Sequence, residues 1–158
     1  MQLHIIITMS VPEIPELKMA AWVALMRSQE TLLRAIETAL KAADMPPLTW
    51  YDVLLELDRS GDDGLRPMEL EKRLLLPQYG MSRLLDRMGK AGLVERIKAP
   101  DDGRGQIIKI TAGGRARRQE MWPIYASVLD SAFAGKLTDQ EAETLRNLLF
   151  RFRQPGTG

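Results

Sequence analysis

The sequence of 158 residues contains no cysteine and only one histidine. The missing thiols exclude disulfides, thiolate metal sites and redox sensing by thiols. His4 stands alone near the start of the chain, whereas transition-metal sites usually draw on several histidine or cysteine ligands. We therefore expect no metal site and no cofactor.

Long apolar runs and enzyme motifs are also missing. No apolar stretch approaches the roughly 20 residues that cross a bilayer. The first nine residues lack the basic region of a signal peptide, so we expect a cytoplasmic protein without membrane contact. The sequence has no G-x-S-x-G, no P-loop and no Rossmann glycine pattern, which argues against an enzyme.

Basic residues are concentrated in one third of the chain. Between Arg66 and Arg118 there are thirteen Lys or Arg and six Asp or Glu, a net charge of +7. The rest of the chain carries −6, so the whole protein has a formal charge of only +1. This block is either a solvated surface with chance clustering or a face that binds phosphates.

Helical periodicity dominates the first part of the chain. Apolar residues at three- and four-residue steps predict a long helix over residues 16–43. Thr49 is the predicted N-cap of a second helix that closes at Ser60. Two further helices are predicted over residues 67–74 and 77–91, the latter with its proline at the first helical position.

The apolar period then changes from helical to alternating. Residues 94–98 and 106–110 predict the two strands of a β-hairpin, joined by a turn-rich loop. Thr111 is the predicted cap of a helix over residues 112–133, and a capping box at Thr138 predicts a last helix. The fold class is therefore mainly α, with a small β contribution (α+β).

Helix, turn, helix and charged hairpin follow in the order of a winged helix-turn-helix. A major groove about 12 Å wide admits one α-helix, and a hairpin tip fits the neighbouring minor groove. The helix over residues 77–91 has an apolar side for docking and a polar side with hydrogen-bond donors. Arg104, at the hairpin tip, has the charge and reach for a narrow minor groove. The pattern predicts binding to double-stranded DNA.

Two stretches of the sequence resemble one known family. Residues 74–88 (LLLPQYGMSRLLDRM) and 91–96 (AGLVER) are similar to the recognition helix and the start of the wing in the MarR family of multiple antibiotic resistance regulators. The D-G-R of residues 102–104, followed by I-T-A-G at residues 110–113, resembles the family's wing signature. The motifs cover about half of the chain, and the order of helices covers all of it.

The sequence departs from the family pattern at two positions. Pro77 stands where Ser or Thr often caps the recognition helix, so this cap is expected to be missing or supplied differently. Gly114 adds a second glycine at the start of a helix, which predicts a softer joint between the wing and the following helix.

The resemblance implies a domain organisation. Residues 1–13 and 154–158 are expected to be loose tails. Residues 14–47 and 112–153 would form a helical dimerisation arm from the N- and C-terminal helices. Residues 48–111 would form the winged helix-turn-helix lobe.

The resemblance also implies a function. The chain would be a homodimeric, sequence-specific transcriptional regulator of a palindromic operator, and a repressor released by a small aromatic ligand. The alternative is a winged-helix module that binds a protein partner and not DNA, although the local charge of +7 argues against it.

Site residues are carried over from the family by position. The residues expected to face bases are Gln78, Tyr79, Ser82 and Arg83, and those expected to contact the DNA backbone are Arg87 and Lys90. Arg104 would be the arginine of the wing, and Asp102 would hold Arg104 or shape the wing loop. Two of these have structural alternatives, because Tyr79 can pack on a neighbouring helix and Arg87 can pair with Asp86 or Glu95.

Aromatic residues are the candidates for a ligand crevice between arm and lobe. They are few, and at helical spacing such residues are also typical of a core. The candidates are Trp22, Trp50, Tyr51, Trp122 and Tyr125.

Overall fold

The computed structural model describes residues 11–100 and 105–153. The predicted tail at residues 154–158, and most of the predicted tail at residues 1–13, lie outside this range. Most of the described chain is helical. The elements are α1 (Glu16–Ala42), α2 (Leu48–Arg59), α3 (Pro67–Arg73), α4 (Met81–Lys90), β1 (Val94–Lys98), β2 (Gln106–Ile110), α5 (Ala112–Phe133) and α6 (Asp139–Phe150), with 3-10 turns at Gly61–Asp63 and Arg151–Arg153.

One apolar core holds together residues 48–111, which we call the lobe. Leu57 of α2, Leu70 of α3 and Met88 of α4 meet Ile108 of β2 in this core, and all four are fully buried. β1 pairs with β2 in the predicted antiparallel hairpin, with Val94 opposite Ile110. The predicted fold class is confirmed.

Leu65 adds a bridge to the hairpin that the sequence pattern did not predict. Its amide donates to the Ile108 carbonyl at 3.0 Å, and the Ile108 amide donates to the Leu65 carbonyl at 2.8 Å. The start of α3 is thereby tied to the wing.

A second core lies where α1 and α5 pack on α2. Ile36, Leu40, Tyr51 and Met121 are buried there. We call α1, α5 and α6 the arm. Arm and lobe therefore share an apolar junction.

The start of α2 corrects one sequence prediction. The helix begins at Leu48 after Pro47, and Thr49 is not its N-cap. Proline has no side-chain acceptor, and the Leu48 amide donates instead to the carboxylate of Glu37 in α1, at 2.9 Å. The carboxylate of Glu37, eleven residues earlier in the chain, therefore takes the place of an N-cap side chain.

The start of α5 is tightly built. The Thr111 hydroxyl accepts from the Gly114 amide at 3.0 Å, as its predicted N-cap role requires, and donates to the Gly92 carbonyl at 2.6 Å. Gly114 is buried, and a Cβ there would overlap the Leu93 carbonyl oxygen. The second glycine thus allows a close approach between helix and wing, and does not mark a loose joint.

The outer part of the arm is uncovered in a single chain. Every residue of 16–30 is exposed, and α6 has no buried residue. Large apolar side chains project there, with Leu17 85% and Trp22 57% exposed. Surfaces of this kind mark interaction sites.

None of the helices described in residues 11–100 and 105–153 combines the length and apolar content required to span a membrane.

Candidate nucleic-acid interface and the arm–lobe cavity

The approach to α4 differs from the sequence prediction. The helix begins at Met81, so the prediction of a helix from Pro77 is wrong for its first four residues. Gly80 has φ +74°, a left-handed conformation through which an α-helix cannot continue. Upstream, the Leu76 amide donates to the Asp52 carboxylate at 2.8 Å and not to a helical carbonyl. Gln78 and Tyr79 therefore lie in a connecting segment just before the helix.

α4 has the two predicted sides. Its buried side docks on the lobe core through Met81, Leu84, Leu85 and Met88. Its polar side is open to solvent and carries Ser82, Arg83, Asp86, Arg87 and Lys90. Placed in this way, the polar side is free to enter a groove of DNA.

Tyr79 projects away from the protein just before α4. Its side chain is 98% exposed, so it does not pack on a neighbouring helix. It borders a shallow depression together with Arg83 and Arg87, whereas Gln78 is half-buried. Three of the six predicted residues of this region thus share one surface.

The cations of this surface have no carboxylate partner. Asp86 pairs with Arg96 of β1 at 2.9 Å, not with Arg87. Within residues 11–100 and 105–153, Arg83 and Arg87 form no ion pair. An unpaired guanidinium can bind phosphate or the edge of a guanine.

Arg96 is a structural link that the sequence reasoning missed. Besides its pair with Asp86, its guanidinium donates to the Ser82 carbonyl at 2.9 Å. It thereby joins the first strand of the wing to the first turn of α4. The only sequence signal was its position two residues after Val94, which places both side chains on the same side of the strand.

Two predicted DNA-binding residues remain, both in the loop between β1 and β2. Asp102 and Arg104 lie outside the described residues, so their roles stay predictions from the sequence.

The basic block is not one uniform face. At its C-terminal end, Arg115 and Arg118 of α5 both pair with Asp58 of α2, at 3.1 and 2.7 Å. Arg117 pairs with Glu120 at 3.5 Å. These arginines bind carboxylates of the protein itself, two of them across the arm–lobe junction. The positive charge available to a partner therefore lies around α3, α4 and the wing.

Aromatic residues meet at the arm–lobe junction. Tyr51 stacks on Trp122 with ring centroids 6.1 Å apart, and Tyr125 lies edge-on to both, at 5.3 and 5.7 Å. Burial raises the pKa of the Tyr125 phenol. We call these three residues the aromatic cluster. Of the predicted ligand residues, Trp122 and Tyr125 are brought together, whereas Trp50 packs on the lobe core and Trp22 lies apart on α1.

A cavity of about 500 Å³ opens beside this cluster. Its lining includes Tyr51, Asp52, Leu76 and Tyr125. Four basic residues also line it, namely Arg59, Lys72, Arg73 and Arg153. The volume suits a small organic molecule. No group of three or more His, Cys, Asp or Glu side chains among the described residues is arranged to hold a metal ion.

Part of the sequence is similar to proteins of one known family. A sequence model described as MarR family matches residues 43–105. The multiple antibiotic resistance protein MarR of Escherichia coli K12 is 35% identical over 85 residues, which are 54% of this chain and 59% of that protein. The alignment thus spans less than two thirds of this relative. The MarR protein of Salmonella typhimurium is 33% identical over 101 residues, which are 64% of this chain and 69% of that protein.

A solved structure shares the fold over nearly the whole chain. It is Sco3205 of Streptomyces coelicolor, a MarR family transcriptional regulator in complex with DNA. The TM-score is 0.82 at 22% identity, covering 94% of this chain and 95% of that one.

Proposed function

Because the chain belongs to the MarR family, we propose that it is a transcriptional regulator that binds double-stranded DNA in a sequence-specific manner. The observation that carries the proposal is the polar side of α4, where Arg83 and Arg87 project without carboxylate partners. In the major groove such donors read base edges and bind phosphates. Gln78, Tyr79, Ser82 and Lys90 would complete this surface, and Asp102 and Arg104 would extend it at the wing.

We propose further that two copies act together. The exposed apolar side chains of α1 and α6 are the surface that a second copy would cover. Residues 14–47 and 112–153 would then form the dimerisation arm, and residues 48–111 the DNA-binding lobe. Two recognition helices related by a two-fold axis read a palindromic site, with half-sites about 34 Å apart.

Arg83→Ala tests the DNA-binding proposal. From the polar side of α4 the guanidinium would pair with O6 and N7 of a guanine, a contact worth ~1–3 kcal/mol of discrimination. We expect the variant to lose affinity for a duplex that the unmodified protein selects from a random library, and to bind unselected DNA nearly as before. Fluorescence anisotropy titrations with both duplexes measure the difference.

Arg34→Ala is the matched control for that experiment. Arg34 lies on α1, is well exposed, and forms an ion pair only with Glu30, so its removal takes away the same charge from a different helix. We expect it to bind both duplexes like the unmodified protein. If Arg83→Ala bound every duplex as the unmodified chain does, a protein-interaction module would replace the DNA-binding proposal.

We also propose that the regulator is a repressor whose effector is a small aromatic molecule. The cavity beside the aromatic cluster supports this, because it offers two phenol rings and lies between arm and lobe. A ligand there can change the angle between the two parts, and with it the spacing of the recognition helices. An effect of about tenfold on DNA affinity is typical of such coupling.

Tryptophan fluorescence can identify the effector. A screen of phenols and aromatic acids is expected to yield a compound that quenches the emission of Trp122 and releases DNA. The quenching should disappear in Trp122→Phe and persist in Trp22→Phe, because Trp22 lies outside the aromatic cluster. Release by metal ions alone would contradict the proposal.

A further inference from the structure

Asp52 is the only charged residue buried within residues 11–100 and 105–153, with 6% of its surface exposed. It lies in the middle of α2. Its Oδ2 accepts from the Leu76 amide at 2.8 Å, and the Leu75 amide provides a second hydrogen bond to the carboxylate. Two consecutive backbone amides thus converge on one carboxylate.

These amides belong to residues 74–80, which we call the α3–α4 segment. Helical hydrogen bonds hold both ends of the segment. At the first end the Leu74 amide donates to the Leu70 carbonyl, and at the other end the Gly80 carbonyl accepts from the Leu84 amide. Between those ends, the backbone amides of the segment that form hydrogen bonds within the described residues donate them to Asp52. The segment carries Tyr79 and ends where α4 begins, so its position sets where the polar side of α4 starts.

The fold does not need the charge of Asp52 for stability. Burial raises the pKa of this carboxyl, the two amide hydrogen bonds lower it, Glu56 raises it and Arg59 lowers it, and burial is the largest effect. Because the pKa is higher in the folded chain than in the unfolded chain, the free energy of unfolding falls as the pH rises through it. A buried charge that costs stability points to another use.

We propose that Asp52 is a positioning residue for DNA binding, whose carboxylate fixes the α3–α4 segment and thereby the approach of Tyr79 and α4 to the groove. The proposal rests on the DNA-binding function proposed above. It predicts that affinity for DNA falls on acidification, because a protonated carboxyl accepts fewer hydrogen bonds than a carboxylate. The other charged or titratable groups around the same cavity are Tyr51, Glu56 and Arg59 of α2, Lys72 and Arg73 of α3, Tyr125 of α5 and Arg153 after α6.

Asp52→Asn tests this role. Asparagine keeps the shape of the side chain but replaces one carboxylate oxygen with an NH2 group, which cannot accept a hydrogen bond from a backbone amide. We expect binding to the duplex selected by the unmodified protein to weaken about tenfold, the loss of one charge-assisted hydrogen bond. The thermal midpoint of unfolding should not fall. Asp52→Glu, which keeps the charge, should recover part of the affinity.

Glu56→Gln is the matched control. Glu56 lies one turn further along α2 and lines the same cavity, but it pairs with Arg59 and not with the α3–α4 segment. We expect its affinity for the selected duplex to stay within about twofold of the unmodified protein. An equal loss in both variants, or a loss in Asp52→Asn that tracks a lower thermal midpoint, would overturn the proposal.

NMR separates this inference from the question of DNA binding. In the unmodified protein without DNA, the amide signals of Leu75 and Leu76 should shift together with pH, with a midpoint above the ordinary aspartate value of 3.8. Asp52→Asn should abolish that titration. Amide signals that do not titrate would refute the positioning role, whereas titrating signals in a chain that binds no duplex would refute only the DNA-binding function.

Discussion

Leu148→Glu is expected to convert the proposed dimer into monomers that bind DNA weakly. Leu148 lies on α6, which has no buried residue, and is 44% exposed in the single chain, beside Leu145 at 40%. A second copy that covers this side would bury a carboxylate without a partner. The cost is about 3 kcal/mol per subunit, and two-fold symmetry places the substitution in the interface twice.

The expected change in the dimer dissociation constant is therefore large. About 6 kcal/mol per dimer corresponds to a roughly 10⁴-fold increase. Sedimentation velocity at micromolar concentration should show the unmodified protein as a dimer and the variant as a monomer. DNA affinity should fall in parallel, because one lobe alone makes half of the contacts.

Arg146→Gln serves as the control for charge. It changes the net charge by the same single unit, but Arg146 points about 200° around the helix from Leu148. Its side chain is 71% exposed, and its partners are Glu143 and Asn147 of the same helix. The variant should remain dimeric. If Leu148→Glu also sediments as a dimer, α6 does not form the interface.

Gly114→Ala is expected to destabilise the fold by about 2–4 kcal/mol, because an added methyl group has no room. A Cβ at this position would overlap the Leu93 carbonyl oxygen, and would lie 2.7 Å from Cγ1 of Ile110 and 3.1 Å from Cδ2 of Leu54. Relief requires the start of α5 to move away from the wing. Urea unfolding followed by circular dichroism measures the loss.

The neighbouring glycine provides the comparison. A Cβ at Gly113 would lie 3.2 Å from the Gly92 carbonyl oxygen and 3.6 Å from the Thr111 hydroxyl, a tight but adjustable contact. Alanine is also favoured over glycine in a helix by up to about 1 kcal/mol. Gly113→Ala should therefore change the free energy of unfolding by less than about 1 kcal/mol. Equal effects of the two substitutions would show that helix propensity, and not packing, governs this joint.

Elements with local signals could be predicted from the sequence. The alternation of residues 94–98 and 106–110 correctly predicted the wing strands, and Thr111 and Thr138 correctly predicted two helix starts. In each case the deciding interaction lies within a few residues or across one hairpin. The same holds for the polar side of α4, which helical periodicity alone predicts.

The failures arise where a distant side chain decides. The start of α2 depends on Glu37, and the path of the α3–α4 segment depends on Asp52, 24 residues before Leu76. Proline at the first position of a helix is a sound local rule, but here the neighbouring amides have a stronger acceptor than a helical carbonyl. The aromatic cluster could not be separated from Trp22 and Trp50 for the same reason, because only tertiary packing brings Tyr51 and Trp122 together.

The two contacts of Arg96 with α4 also bear on how the proposed regulator would acquire a new target. The guanidinium of Arg96 binds both the Ser82 carbonyl and the Asp86 carboxylate, so β1 and α4 are expected to move as a unit. A change in the orientation of one element should therefore shift the other. Exchanging only the exposed side chains of α4 would leave a wing fitted to the old helix orientation. Redesign, like evolutionary divergence, should therefore transfer residues 81–110 as one unit, with Arg96 and its two partners on α4 kept intact.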